Sequence, residues 1–198
     1  MRWPAVLWCA RSGRRAGAAY PHVVSAPVAG ALDFHDGREV ADWLAILQLE
    51  AEYARTWDSQ DADGWAACFT DDGAFEMGST PGGLPAMRFA GRAELTEFCR
   101  LGSGRYEGIH LLSAPSLTFD RTSDKDAARV WGWVHFSYHD RDRKTQALRH
   151  VVGVYAVTYV RGDDGEWRMA LRREQAVMNE AGFHGFPTAD RMWAPEVS

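Results

Sequence analysis

Between about Arg38 and Trp57, the residues Val40, Leu44, Leu47, Ala51 and Ala54 recur at helical spacing and predict a helix with one apolar stripe. Ser59 or Asp61 can cap a second helix, in which Trp65 and Phe69 stand one turn apart. The run TDDG stops that helix, a short strand over Ala74 to Met77 follows, and GSTPGGLP reads as a loop. GRAELTEFCRLG is a third short helix, closed by Gly102.

After Gly102 the hydrophobic period changes to two. GIHLLSAPSLTFD, ARVWGWVHFSYHD, QALRHVVGVYAVTYV and EWRMALRREQAVM read as four strands rich in β-branched and aromatic residues. The polar breaks between them, RTSDKD, RDRK and GDDG, are short enough for antiparallel hairpins. Helices first and a long meander afterwards predict an α+β domain over residues 36–178, with three N-terminal helices packed on one face of a curved antiparallel sheet. Residues 179–198 form a tail whose Phe183, Phe186 and Trp193 can fold back over a pocket.

A chain of 198 residues, 46% hydrophobic and 12% aromatic, suits one packed domain plus extensions, and no apolar run is long enough to span a bilayer. The net charge of −5 hides an asymmetry. Residues 1–32 carry Arg2, Arg11, Arg14 and Arg15 and no acid, so the remainder balances at −9. Such a surface repels phosphate backbones, and nucleic acid is not an expected partner. Residues 1–35 are read as a disordered leader, with a targeting peptide as the alternative. Cys9, Cys68 and Cys99 are odd in number and widely spaced, and are read as reduced thiols of a cytoplasmic protein.

Two residues carry the candidate chemistry. Asp58 follows the first helix, where a carboxylate faces the negative end of the helix dipole and needs a donor or cation to compensate. It either caps the turn or serves a site. His110 lies early in the first long strand, and alone it reads equally as a core or surface residue. Joined to an aspartate it changes meaning: a carboxylate fixes the imidazole tautomer and makes it more basic, which suits proton abstraction near neutrality. His135 and His139 are four apart, but on a strand that spacing separates them by ~13 Å, too far to share an ion. No metal and no cofactor are expected. Trp131, Trp133 and Ser137 share the strand face of those histidines, a stripe that lines a pocket or merely covers the sheet. A phosphate-binding glycine loop and a nucleophile elbow are both missing from the sequence.

The segment YARTWDSQDADGWAACFTDDGAFE resembles the opening helices of SnoaL-like proteins in the nuclear-transport-factor-2-like superfamily. The resemblance continues through GRAELTEFC, IHLLSAPSLTFD, VWGWVHF and GEWRMALRRE, covering most of residues 38–178. It implies a cone-shaped α+β barrel of curved sheet closed by helices, with a deep apolar pocket, often in dimers. Within the superfamily, WDSQD and IHLLSAP are similar to the segments that carry the catalytic Asp and His of scytalone dehydratase, which assigns those roles to Asp58 and His110. Bile-acid dehydratases use a Tyr five residues before the Asp, the position of Tyr53, and hexachlorocyclohexane dehydrochlorinase uses a similar Asp–His pair. On an ideal helix Tyr53 and Asp58 are ~140° apart, so they are expected to share a pocket only if the helix ends between them.

The departures narrow what carries over. The Tyr that precedes the Asp in scytalone dehydratase is Trp57 here, its second His falls within a residue of His139, and its late Ser/Asn pair falls near Gly153 and Tyr155. Ketosteroid isomerases place their base where this chain has Met77, and the Arg-centred carboxylate trio of limonene epoxide hydrolase is not evident. The resemblance therefore implies a cofactor-independent lyase, a dehydratase acting on a small hydrophobic oxygenated metabolite through Asp58, His110 and Tyr53. A pocket is expected from Trp57, Trp65, Phe69, Trp131, Trp133, His135, His139 and Tyr155. A cyclase or isomerase with the same dyad, or a non-catalytic ligand-binding module, are the alternatives, in a homodimer or higher homo-oligomer.

Overall fold

The computed structural model describes residues 36–79, 86–120, 129–187 and 192; the Arg-rich leader and Trp193 lie outside them. Three helices, α1 (Gly37–Asp58), α2 (Ala62–Ala67) and α3 (Gly91–Arg105), pack on a curved, unclosed sheet in an α+β fold. The strands are β1 (Phe69–Met77), β2 (Met87–Ala90), β3 (Tyr106–Leu112), β4 (Ser116–Phe119), β5 (Arg129–Asp142), β6 (Leu148–Arg161), β7 (Trp167–Asn179) and β8 (Gly182–Phe183). Their order is β2-β1-β7-β6-β5-β3, with β4 also on β5 and β8 on β7. The sheet is mixed rather than wholly antiparallel, because β1 runs parallel to β7.

Helix α1 starts on Asp36, whose carboxylate accepts from the amides of Arg38 and Glu39 at 2.8 and 3.1 Å. Its buried stripe is Asp42, Ile46, Glu50, Tyr53 and Thr56. The apolar stripe expected from the sequence faces the other way, with Val40 37% and Leu44 54% exposed. The cause is electrostatic. Glu50 accepts from Tyr159 and Arg172 at 2.6 and 2.7 Å, and Asp42 pairs with Arg161 and accepts from the Trp167 indole at 3.3 Å. Carboxylates are buried only when donors meet them, and these donors arrive from β6 and β7.

Three further elements differ from expectation. Phe69 opens β1 instead of standing on a helix with Trp65, although their rings still meet with centroids 5.0 Å apart. Helix α3 runs past Gly102 to Arg105; that glycine makes room for Trp57, whose ring atoms would lie 2.8 Å from a Cβ there. The single strand expected over GIHLLSAPSLTFD is two, β3 and β4, which pair with successive halves of β5. Pro115 has no N–H to continue the ladder between them.

The inner face of the sheet carries Phe136 and Tyr138 of β5 and Tyr155 and Tyr159 of β6, packed on Ile46, Tyr53, Trp65 and Phe69. No helix among the described residues is long and apolar enough to cross a membrane. In the tail, Asn179 to Ala181 border the cavity described below. Met192 is buried against Val154 and Ala156, on the opposite face of the sheet from Tyr155.

Candidate active site

The last turn of α1 and the middle of β3 meet through one carboxylate. Asp58 Oδ2 accepts from the His110 amide at 2.9 Å, and Asp58 Oδ1 lies 2.7 Å from His110 Nδ1. The two donors from β3 compensate the unfavourable dipole at the helix end. An ionised Asp58 requires the proton on Nδ1, which leaves Nε2 as the basic nitrogen (this tautomer follows from the contact). Helix α1 does not end between Tyr53 and Asp58, contrary to the condition set for a shared pocket. Tyr53 lines the cavity directly, whereas Asp58 reaches it through His110.

Aromatic rings surround the imidazole. Tyr138, its cross-strand partner on β5, stacks on it at 4.2 Å, and Tyr53 and Trp57 meet it edge-on at 6.1 Å each. The His110 side chain is only 6% exposed. Burial lowers its pKa below the usual 6.5, and the Asp58 contact opposes that shift without cancelling it. The ring is therefore neutral at neutral pH and able to take a proton. Trp57 Nε1 donates to the Tyr138 hydroxyl at 3.2 Å, so the indole holds that phenol in place. Burial raises Tyr138 to about 12, keeping it a donor.

These groups line a cavity of about 450 Å³. Phe75, Phe98 and Phe136 supply apolar wall, and Arg149 stands at the rim, its guanidinium 3.5 Å from the Tyr106 ring centroid and bidentate to Asp140 at 2.8 and 2.7 Å. Below Tyr53 lies a buried charge. Arg172 sits between the rings of Tyr53 and Tyr155 at 3.9 and 3.8 Å and pairs with Glu50. Glu174 also faces the cavity, and burial raises its carboxyl to about 7 against the opposing pull of Arg172 and Tyr155. A larger opening of about 890 Å³ lies beside β1, β2 and β7. Glu76 there is paired with Arg88 and Arg173, and His184 bonds Asn179 rather than a carboxylate.

Of the expected pocket residues, Trp57 and Tyr155 line the cavity. Trp65 and Phe69 are fully buried core behind Tyr53. Trp131, Trp133, His135 and His139 are on the outer face of β5, because His110 pairs with Tyr138 and turns the even-numbered residues inward. Ser137 shares that outer face, where its hydroxyl lies 2.8 and 3.1 Å from Nε2 of His139 and His150. Among the described residues no group of three or more His, Cys, Asp or Glu is arranged to hold a metal. Tyr138 is legible from alternation once His110 is placed inward. Glu174 and Arg172 are not, since Ala170 is an extra residue between the Tyr159–Met169 and Thr158–Leu171 pairs and reverses the alternation along β7.

An open curved sheet capped by helices around an aromatic cavity is the architecture of the nuclear-transport-factor-2-like folds. The model of the SnoaL-like domain matches residues 38–173, and the chain belongs to that family, which includes dehydratases, cyclases and isomerases. No curated protein matches the chain. Among solved structures, a single-substitution form of Rv3472 from Mycobacterium tuberculosis, a protein of unknown function, is 27% identical over 73% of this chain and 76% of its own, with a TM-score of 0.58. ActVI-ORFA from Streptomyces coelicolor is 20% identical over 69% and 97%, with a TM-score of 0.54. A candidate scytalone dehydratase from Novosphingobium aromaticivorans is 20% identical over 76% and 95%, with a TM-score of 0.58. The last two establish likeness of fold.

Proposed function

We propose that this chain is a cofactor-independent lyase that removes water from a small hydrophobic, oxygenated metabolite. The observation that carries the reading is the 2.7 Å contact between Asp58 and His110 at the wall of an aromatic cavity. His110 Nε2 takes a proton from carbon beside a carbonyl, and Asp58 holds the ring and stabilises the imidazolium that results. Tyr53 and Tyr138 present hydroxyls to the oxyanion that develops on the carbonyl. Aromatic walls favour a hydrophobic ligand, and the cavity leaves room for one with one or two rings. The likeness in fold to a candidate scytalone dehydratase supports the reaction class.

The benzaldehyde–acetone aldol adduct, a small aromatic β-hydroxy ketone, is a suitable probe. Formation of its conjugated enone is followed by absorbance, and exchange of its α-hydrogens with deuterated solvent by NMR. Wild-type protein is expected to accelerate both, and H110A and D58N to lose both while keeping the native circular dichroism spectrum. Turnover retained in both variants defeats the reading. Exchange without elimination replaces the lyase with an isomerase or cyclase using the same base.

A further inference from the structure

Glu174 has the position of an active group and lacks the partners of a structural one. It lies on the inner face of β7, in register with Tyr155 of β6, and borders the same cavity as His110. The neighbouring cation, Arg172, pairs through Nη1 with Glu50 and is enclosed by the rings of Tyr53 and Tyr155. Its Nε and Nη2 make no hydrogen bond among the described residues, and its charge opposes the effect of burial on Glu174. Among the described residues no Lys or Arg stands within ion-pair distance of the Glu174 carboxyl. Its cross-strand neighbour is Tyr155, whose ring meets that of Tyr53 edge-on, and all three line the cavity. Glu174 is half-buried between the aromatic cavity and the larger opening beside β1 and β2, and a carboxyl drawn partly out of water without a paired cation is held more easily neutral than a solvated one. A neutral carboxyl can donate, and what lies before it is the cavity.

We propose that Glu174 is the general acid of this site, protonating the departing oxygen while His110 takes the carbon-bound proton. The inference rests on the lyase reading and deepens it, because it fixes the substrate class as a β-hydroxy carbonyl compound whose hydroxyl is turned toward β7. The C–H electron pair becomes the new double bond, the C–O bond breaks, and its oxygen leaves as water with the proton of Glu174. The enzyme is left with imidazolium and carboxylate, and transfer of one proton from His110 to Glu174 through water restores the starting state. Without the acid, hydroxide would have to leave unassisted, so only a substrate with a poor leaving group needs Glu174.

Two probes separate these roles: the benzaldehyde–acetone aldol adduct, which loses a hydroxyl, and its O-acetyl ester, which loses acetate. Glu174→Gln is expected to slow the first by about 100-fold or more and the second by less than about threefold, with Glu174→Asp recovering part of the loss on the first. Carbon NMR of Glu carboxyls, assigned by the missing E174Q signal, is expected to show Glu174 titrating near neutrality. Equal effects on both probes, no effect on either, or titration in the ordinary glutamate range overturns the proposal. Failure of the dyad reading looks different, since H110A would then retain turnover of both probes whatever Glu174 does. Should E174Q not fold, E174D carries the same comparison between the two leaving groups and assigns the carboxyl signal by its shift.

Discussion

The Glu50 carboxylate and the Arg172 guanidinium meet 2.7 Å apart where α1 packs on β7, with side chains 3% and 0% exposed. Tyr159 donates to the same carboxylate oxygen, and Tyr53 and Tyr155 enclose the cation, so the cavity floor is built around one charge pair. Removing the cation alone strands a buried carboxylate. Arg172→Met is therefore expected to destabilise the protein by about 3–5 kcal/mol, with Arg172→Met combined with Glu50→Met recovering much of the loss. Urea denaturation of the two variants checks this, and wild-type stability in R172M would exclude a structural role for the pair.

That pair also marks the limit of what is legible in the sequence. Helix and strand periods reveal the order of the main elements, and motif likeness singles out Asp58 and His110, because those signals are local. The buried stripe of α1 departs from the apolar pattern because Glu50 and Asp42 become core residues only through Arg172, Arg161 and Trp167, side chains with no local signal. The same holds for Glu174. Inward alternation from Trp167 and Met169 would continue to Leu171 and Arg173, but the extra residue Ala170 turns Arg172 and Glu174 inward instead. A bulge is a property of two strands together.

The outer face of β5 supplies a test of that geometry. His135, His139, Trp131 and Trp133 carry pocket-like chemistry but point away from the cavity. His135→Ala and His139→Ala are expected to leave turnover of the aldol probe within about twofold of wild type, surface changes of this kind having small effects. A loss comparable to that of H110A would place the working site on the other face of the sheet.

Asp58→Asn tests the double contact with His110. The carboxylate accepts from two donors, and an amide offers only one acceptor, so one N–H of His110 must face another donor. The expected stability loss is about 1–3 kcal/mol, and the fall in turnover about 100-fold or more. Asp58 raises the His110 pKa, so the imidazole in D58N should titrate lower than in wild type. Proton NMR of the His110 ring reads this directly, and an unchanged or higher value would contradict the electrostatic role of Asp58.

The pH profile joins the two titrating groups of the cavity. Burial puts His110 below 6.5, so the base is lost as pH falls through that lowered value. Burial raises Glu174 to about 7, so the acid is lost as pH rises through it. Turnover of the aldol probe should follow a bell between these limits, and E174Q should abolish its alkaline limb while leaving the acid limb in place. Stability carries the same signs. His110 binds its proton more readily unfolded, so its contribution is present above 6.5 and is lost as pH falls through the folded value. Glu174 binds its proton more readily folded, so its contribution is full below 4.5 and is lost as pH rises through about 7. Thermal unfolding of E174Q should therefore gain on wild type as pH rises from below 4.5 to above about 7. A difference in melting temperature that stays constant across that window would mean Glu174 titrates folded as it does unfolded, is charged near neutrality and cannot serve as an acid there.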